Sequence, residues 1–365
     1  MNQPGSDNSP QLQVGVELDF RYHDRIPFNA DIATAVHRWC LINESQSLAQ
    51  IKDLFHELGL EKGDLVIDPF CGSGAVALQC ALEGADFLGF DLLPICVIGT
   101  RAKLAAATVD VKQFATHVTN LERVFHGHLH SSRAGTYETY QELLSKILDF
   151  GDKPETWIFL NALFAAGAGL EHRSINGSSG SELATGFGHR ISCAMEDLKH
   201  TKFFPGSRRV FWQSGIDTDW TELLNTKSRR AFLITSPPFS NSLQDDDIEI
   251  AEWQHAAGEA LLLLGETPLQ PPKEEISDYF NLAAACLTQL SELEIEHKAG
   301  VFECRCDHTK TSEFPVDVQV GSLAANQGFG CSQVRITHYV DKLGSLTSNP
   351  TKIRGSLVFF GINCS

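Results

Sequence analysis

The chain has 365 residues, 42% hydrophobic and 21% charged, which is enough for one large or two modest globular domains with a sizeable core. Its formal net charge of −17 excludes a generally nucleic-acid-coating protein, because such binders carry a broad basic surface that displaces counterions from phosphates. A local basic cleft on an acidic body stays compatible with that charge.

The ten cysteines are scattered without a CxxC pair, and the closest spacing is Cys304-x-Cys306. This usage fits reduced, mostly buried thiols of a cytoplasmic protein and argues against a zinc site. No run approaches the roughly 18 apolar residues of a membrane span, so no membrane partner is expected.

Residues 1–20 begin "MNQPGSDNSPQLQ", polar and without an apolar core, and are expected to be disordered. The stretch Ala30 to Leu60 repeats apolar residues at helical spacing, and Asn29 or Asp31 is placed to cap it. "GDLVIDPFCGSG" then runs from a buried strand, Leu65 to Ile67, into a glycine-rich turn. "AVALQCALEGA" continues as a helix to Gly84, and "DFLGFD" makes a second strand closing on Asp91. Strand, turn, helix, strand and acid together form the βαβ unit of an open parallel sheet.

Residues 108–200 read as a helical insert with a Gly- and Ser-rich loop, "SINGSSGSELATGFGH". Strand signals return at Ser207–Gly215, Ala231–Ser236, Gly300–Asp307, Ser332–Val340 and Gly355–Ile362. That makes seven strands, the last two forming an antiparallel hairpin. The organisation expected is residues 21–107 carrying the cofactor-side half, 108–200 the insert, and 201–365 the catalytic half.

The turn Asp68-Pro-Phe-Cys-Gly72-Ser-Gly74 sits beyond the carboxyl end of the first predicted strand, where a parallel sheet puts its ligands. Gly72 and Gly74 let the backbone approach a ligand and turn into a helix whose first N–H groups face the site. Asp91 is placed to accept from two ribose hydroxyls, as in nucleotide sites generally. The third glycine of GxGxxG is missing, with Ala77 in its place, and Gly74 is followed by Ala75-Val76 rather than Lys-Ser/Thr, which argues against a dinucleotide site and a P-loop.

"FLITSPPF" ends an apolar strand on two prolines, which cannot continue a sheet. In order and spacing, DPFCGSG, FDLLP and SPPF resemble the S-adenosylmethionine-dependent amino-methyltransferases of DNA, which modify cytosine N4 or adenine N6. The upstream "RYHDRIPFNADIATAVHRW" resembles the lead-in of that family. The resemblance implies an α/β, Rossmann-like class I methyltransferase fold: a seven-stranded, mostly parallel sheet with an antiparallel last strand.

It further implies S-adenosyl-L-methionine as cofactor, with Asp68, Phe70, Gly72 and Gly74 on its methionine side, Asp91 at its ribose, and Cys71 and Leu92 also among the cofactor-binding residues. Asp217, in "WQSGIDTDW", is the candidate for the adenine amino group, ahead of Asp219. Ala75-Val76 departs from the family's frequent threonine pair, and Phe239 from its more usual tyrosine.

The chemistry explains why such a motif exists. An exocyclic amine conjugated into a base is a poor nucleophile. Two acceptors, the Ser236 hydroxyl and the Pro237 carbonyl, draw it toward tetrahedral geometry, while Pro237 and Pro238 hold the backbone rigid. Phe239 would stack on a base removed from its helix. A carbon-5 methyltransferase would need Pro-Cys here, and there is none. Serine at the first position leans toward cytosine N4 within the family.

Arg208, Arg209, Arg229 and Arg230, with nearby lysines, suggest a basic rim for DNA around the catalytic strands. The insert is a candidate for target recognition, and a restriction endonuclease is a candidate partner. His126, His128 and His130 fit solvent-facing histidines better than a metal site. The acidic segment "QDDDIEIAEWQHAAGEA" sits awkwardly beside a phosphate backbone. It keeps two alternatives open: methylation of an RNA amine such as guanine N2, or a catalytically inactive methyltransferase fold serving as a binding subunit.

Overall fold

The computed structural model of the protein describes residues 15–18, 33–39, 46–129, 135–170, 179–224, 228–238, 251–267, 279–307, 316–342 and 351–362. Within them one eight-stranded sheet runs in the order β1-β7-β8-β6-β5-β2-β3-β4. The strands are β1 (Gly15–Leu18), β2 (Leu65–Asp68), β3 (Asp86–Asp91), β4 (Arg208–Trp212), β5 (Arg230–Thr235), β6 (His297–Asp307), β7 (Cys331–Lys342) and β8 (Thr351–Ile362). Every neighbouring pair is parallel except those made by β8, which lies antiparallel between β6 and β7. The antiparallel last strand and the β7–β8 hairpin agree with the sequence reading.

Strand residues alternate between two cores, as the two-residue period of a strand buried on both faces requires. Val66, Phe87, Phe232, Ile234, Val301 and Phe359 face one core. Leu65, Ile67, Leu88, Leu233, Phe302 and Phe360 face the other. The first core is covered by α1 (Leu48–Glu57), α2 (Ala75–Glu83), α3 (Pro94–Ala105), α4 (Val111–Leu129), α5 (Thr136–Leu148), α6 (Pro154–Ala168), α7 (Gly180–His200) and α9 (Ala251–Leu263). The second is covered by α8 (Trp220–Leu223), α10 (Tyr279–Glu292) and α11 (Val316–Ala324).

The insert helices α4 to α7 share the first core rather than enclosing one of their own. α6 is apolar almost all round, from Thr156 to Gly167, and is buried among its neighbours. Trp253 of α9 explains one requirement of that packing: a Cβ on Gly167 would come within 2.4–2.5 Å of its ring.

Three features differ from the sequence reading. Gly15–Leu18 lies in the stretch expected to be disordered, yet it pairs with β7 as an eighth strand, satisfying backbone groups of an otherwise open edge. The stretch Ala30 to Leu60 is not one helix. His37–Trp39 form a 3-10 turn after Val36, whose φ is 65°, and α1 starts afresh where Ser47 caps Gln50 N. Asp197 explains the break, because its carboxylate accepts from Val36 N at 2.8 Å and so takes that amide out of any helical ladder. Asn29 and Asp31 lie outside the described residues.

The third difference is that "SELATGFGH" is helical, not a loop. Ser179 and Glu182 form a capping box that starts α7. Gly186 faces Ala166 of α6, where an added Cβ would sit at 3.3 Å, so packing offsets the low helix propensity of glycine.

No helix among the described residues is long and apolar enough to cross a membrane. Among those residues no group of three or more His, Cys, Asp or Glu side chains is arranged to hold a metal ion. His130 and the side chains of His126 and His128 lie outside them.

Candidate active site

The chain leaves β2 toward β3 and β4 on one side and returns through β5 and β6 on the other, so the topological switch falls between β2 and β5. Ligands of open parallel sheets bind beyond the carboxyl ends of the strands at that point. Asp68, Asp91 and Thr235 are the last residues of β2, β3 and β5, and all three converge there.

The glycine-rich turn is held from several sides. Cys71 N donates to Phe90 O at 2.9 Å, Gly74 N to Cys71 O at 2.8 Å, and Leu78 N to Gly74 O at 3.0 Å as α2 begins. Gly72 and Gly74 have φ of 48° and 79°, in the left-handed region that disfavours other residues. A Cβ on Gly74 would meet Thr100 at 2.7–3.0 Å. Among the described residues, Gly72 has only Phe70 O within reach of an added Cβ, at 3.9 Å. Thr100, on α3, donates to Gly72 O at 3.0 Å.

Two carboxylates define the floor. Asp68 is 2% exposed; its Oδ1 accepts from Thr235 Oγ1 at 2.6 Å and from Phe70 N at 3.2 Å. Burial pushes its carboxyl up to about 7, and the charge of Asp91 acts in the same direction while the Thr235 and Phe70 donors oppose it. Asp91 accepts from Gly72 N at 2.8 Å and Leu93 N at 2.9 Å, and burial pushes it up to about 6. Burial also pushes the Cys71 thiol well up, so it remains a neutral, packed group.

The neighbouring loop after β4 closes on the same turn. Gly215 abuts Pro69 so tightly that a Cβ would come within 2.8 Å of its Cα, Cβ and O. Trp220 Nε1 donates to Gly215 O at 2.8 Å and its ring stacks on Phe90. Asp217 is exposed in this loop two residues beyond Gly215, whereas the carboxylate of Asp219 is occupied in capping α8 through Thr221. Leu92 keeps 44% of its surface exposed beside Asp91, and its carbonyl accepts from Trp212 Nε1 at 3.0 Å.

Ser236, Pro237 and Pro238 follow Thr235 directly off the sheet, with Ser236 half-buried, Pro237 buried and Pro238 exposed. Phe239 lies outside the described residues.

The four arginines proposed as a basic rim lie elsewhere. Arg208 and Arg230 are the first residues of their strands, with Arg209 and Arg229 next to them, at the opposite end of the sheet. Ser236 lies six positions beyond Arg230, about 20 Å along a strand. Arg208 donates to Ala85 O, Cys80 O and Phe204 O, and Arg209 to Leu223 O. Arg230 is held by Gly59 O, Glu61 and Asp64. The guanidinium groups of Arg208, Arg209 and Arg230 tie loops to strand starts.

Sequence reasoning missed Thr100, Thr235 and Gly215. Only Thr235 carries a local signal, as one of the two hydroxyl residues, with Ser236, between an apolar strand and the prolines. It also missed Asp197, which accepts from Val36 N, Trp39 Nε1 and the Arg38 guanidinium, and so fastens residues 36–39 to α7.

A mostly parallel sheet with one antiparallel strand at this position, a glycine-rich turn at its switch point and a terminal acid on the next strand define a Rossmann-like methyltransferase fold. Comparison with known proteins agrees. The family described as D12 class N6 adenine-specific DNA methyltransferase matches residues 44–178. The Type II methyltransferase M.BsoBI of Geobacillus stearothermophilus is 35% identical over 78 residues, 21% of this chain. The matched segment spans 15% of the length of that relative. Both similarities support an amino-methyltransferase family, and methyltransferases of this family use S-adenosyl-L-methionine as methyl donor.

Proposed function

We propose that the protein transfers a methyl group from S-adenosyl-L-methionine to an exocyclic amine of a DNA base, with cytosine N4 as the favoured target. The observation that carries this reading is the hydrogen bond from Thr235 to Asp68, 2.6 Å, which sets the Ser236-Pro237-Pro238 exit against the glycine-rich turn at one sheet edge. The residues fit the cofactor: among the described residues an added Cβ on Gly72 would meet only Phe70 O, and Asp68 and Asp91 supply carboxylates for polar hydrogens at the strand ends.

Gly72, Gly74, Asp68 and Phe70 would hold the methionine part, Asp91 and Leu92 the ribose, and Asp217 the adenine amino group. When bound, the cofactor supplies a methyl group activated by a sulfonium. The protein's part is positional. The Ser236 hydroxyl and Pro237 carbonyl accept the two amino hydrogens, which localises the nitrogen lone pair, and the prolines keep both acceptors fixed. Phe239 would stack on the extruded base.

The preference for cytosine rests on Ser236, since serine at that position leans toward N4 in the family this chain resembles. The similarity to the adenine-N6 family covers residues 44–178, the cofactor half and insert, and stops before Ser236. Adenine N6 is therefore the second reading. Incubation with methyl-labelled cofactor and unmethylated DNA or RNA, followed by digestion to nucleosides, should yield N4-methylcytosine. Label in N6-methyladenine shifts the base assignment, label only in RNA refutes DNA as substrate, and label in 5-methylcytosine refutes amine transfer. Ser236→Ala should lower transfer on the order of 100-fold, as loss of an oriented hydrogen-bonding group does, while leaving cofactor binding intact.

A further inference from the structure

The direct-transfer reading leaves a proton without an acceptor. A serine hydroxyl and a peptide carbonyl can hold hydrogen bonds from an amine, but neither is basic enough to keep its proton. A carboxylate next to Ser236 meets that need. The last parallel pair of β5 and β6 is Thr235 with Phe302, and Ser236 and Glu303 are the residues that directly follow that pair. Adjacent strands are about 4.8 Å apart.

Side-chain alternation along β6 puts Glu303 on the first-core face of Ala299 and Val301, the face that Phe232 and Ile234 share on β5, and Ser236 leaves that sheet edge directly after Thr235. Leu357, the partner of Glu303 across β8, belongs to the same core. Glu303 is 7% exposed, a carboxylate at the ligand edge of the sheet. It is held firmly: Gln46 Nε2 donates to its Oε2 at 2.9 Å, and the Tyr279 hydroxyl donates to its backbone carbonyl at 2.6 Å.

Resting on the proposed amine transfer, we infer that Glu303 is the base that takes the proton from the methylated nitrogen. The amine lone pair forms the new N–C bond as the C–S bond breaks, its electron pair passing to sulfur and neutralising the sulfonium. The nitrogen then carries the positive charge. One of its protons moves to the Glu303 carboxylate, leaving a neutral methylamino base and a glutamic acid that loses its proton to water. The bound carboxylate also stabilises positive charge as it develops on nitrogen.

Glu303→Gln separates this role from a structural one, because the amide oxygen can still accept from Gln46. Single-turnover transfer to mixed-sequence, unmethylated DNA at saturating cofactor should fall on the order of 100-fold. Affinity for S-adenosylhomocysteine, measured by calorimetry, should stay within about twofold, since Glu303 is expected to act on the target amine and not on the cofactor. Glu303→Asp keeps a base one methylene further away and should lose about tenfold while exceeding the glutamine variant.

A wild-type rate in Glu303→Gln overturns the assignment, as does a loss matched by an equal loss of cofactor affinity. If the glutamine variant does not fold, an undiminished rate in Glu303→Asp overturns it. Absence of labelled base from the wild-type reaction overturns the methyltransferase reading itself, which these outcomes keep distinct.

Discussion

The Thr235 hydroxyl donates to Asp68 Oδ1 at 2.6 Å, joining the strand that ends at Ser236 to the strand that opens the glycine-rich turn. Both groups are buried, at 1% and 2% exposure, so the bond is shielded from water. Thr235→Val leaves Asp68 with one fewer donor and raises its proton affinity further. Hydrogen bonds to charged groups contribute roughly 1.5–3 kcal/mol, so cofactor affinity should fall about tenfold or more. Thr235→Ser should retain it, and calorimetric titration with S-adenosylhomocysteine distinguishes the two.

The two floor carboxylates make stability depend on pH in an unusual direction. Asp68 and Asp91 have folded-state values of about 7 and about 6, above the ordinary aspartate value of 3.8. The folded protein then holds more protons than the unfolded chain between about pH 4 and 7, so stability should fall as pH rises through that window. The melting temperature of the cofactor-free protein, followed from pH 5 to 8, should drop more steeply in the wild type than in Asp68→Asn. Affinity for S-adenosylhomocysteine should move the opposite way, rising with pH toward 7 as the acceptors ionise.

Gly74 combines a φ of 79° with a Cβ position 2.7–3.0 Å from Thr100. Gly74→Ala should cost about 1–3 kcal/mol in backbone strain alone and abolish cofactor binding. Chemical denaturation measures the first effect and calorimetry the second. Thr100→Ala in the same background relieves the side-chain part of the clash only, so cofactor binding should not return.

Asp197 receives donors from Val36, Arg38 and Trp39. Asp197→Ala leaves a buried indole N–H and a backbone amide without their acceptor and strips Arg38 of its partner. A loss of roughly 2–6 kcal/mol is expected, about 1–3 for each of the two buried donors left without an acceptor, and urea denaturation would measure it.

Arg209 and Arg229 sit at the end of the sheet opposite Ser236. Replacing both with glutamine should leave DNA affinity and its salt dependence unchanged. A slope of log affinity against log salt that falls by about two would instead restore these residues to the DNA interface.

What the sequence could determine was local. Leu65 to Asp91 encodes a buried strand, a turn that only glycine fits at positive φ, a helix and a second strand, because period and turn chemistry act over a few residues. The Ser-Pro-Pro exit is legible for the same reason, since proline removes the N–H that a strand needs. Positions that depend on register and packing were not legible. Arg230 is close in sequence to the Ser-Pro-Pro exit, yet strand direction places it, like Arg208, at the other end of the sheet, where loop carbonyls and carboxylates absorb their charge. Thr100, Asp197, Gly215 and Glu303 lie far along the chain from the groups they serve, and only the folded sheet, with its alternating faces and parallel register, brings them to the same edge or clasp.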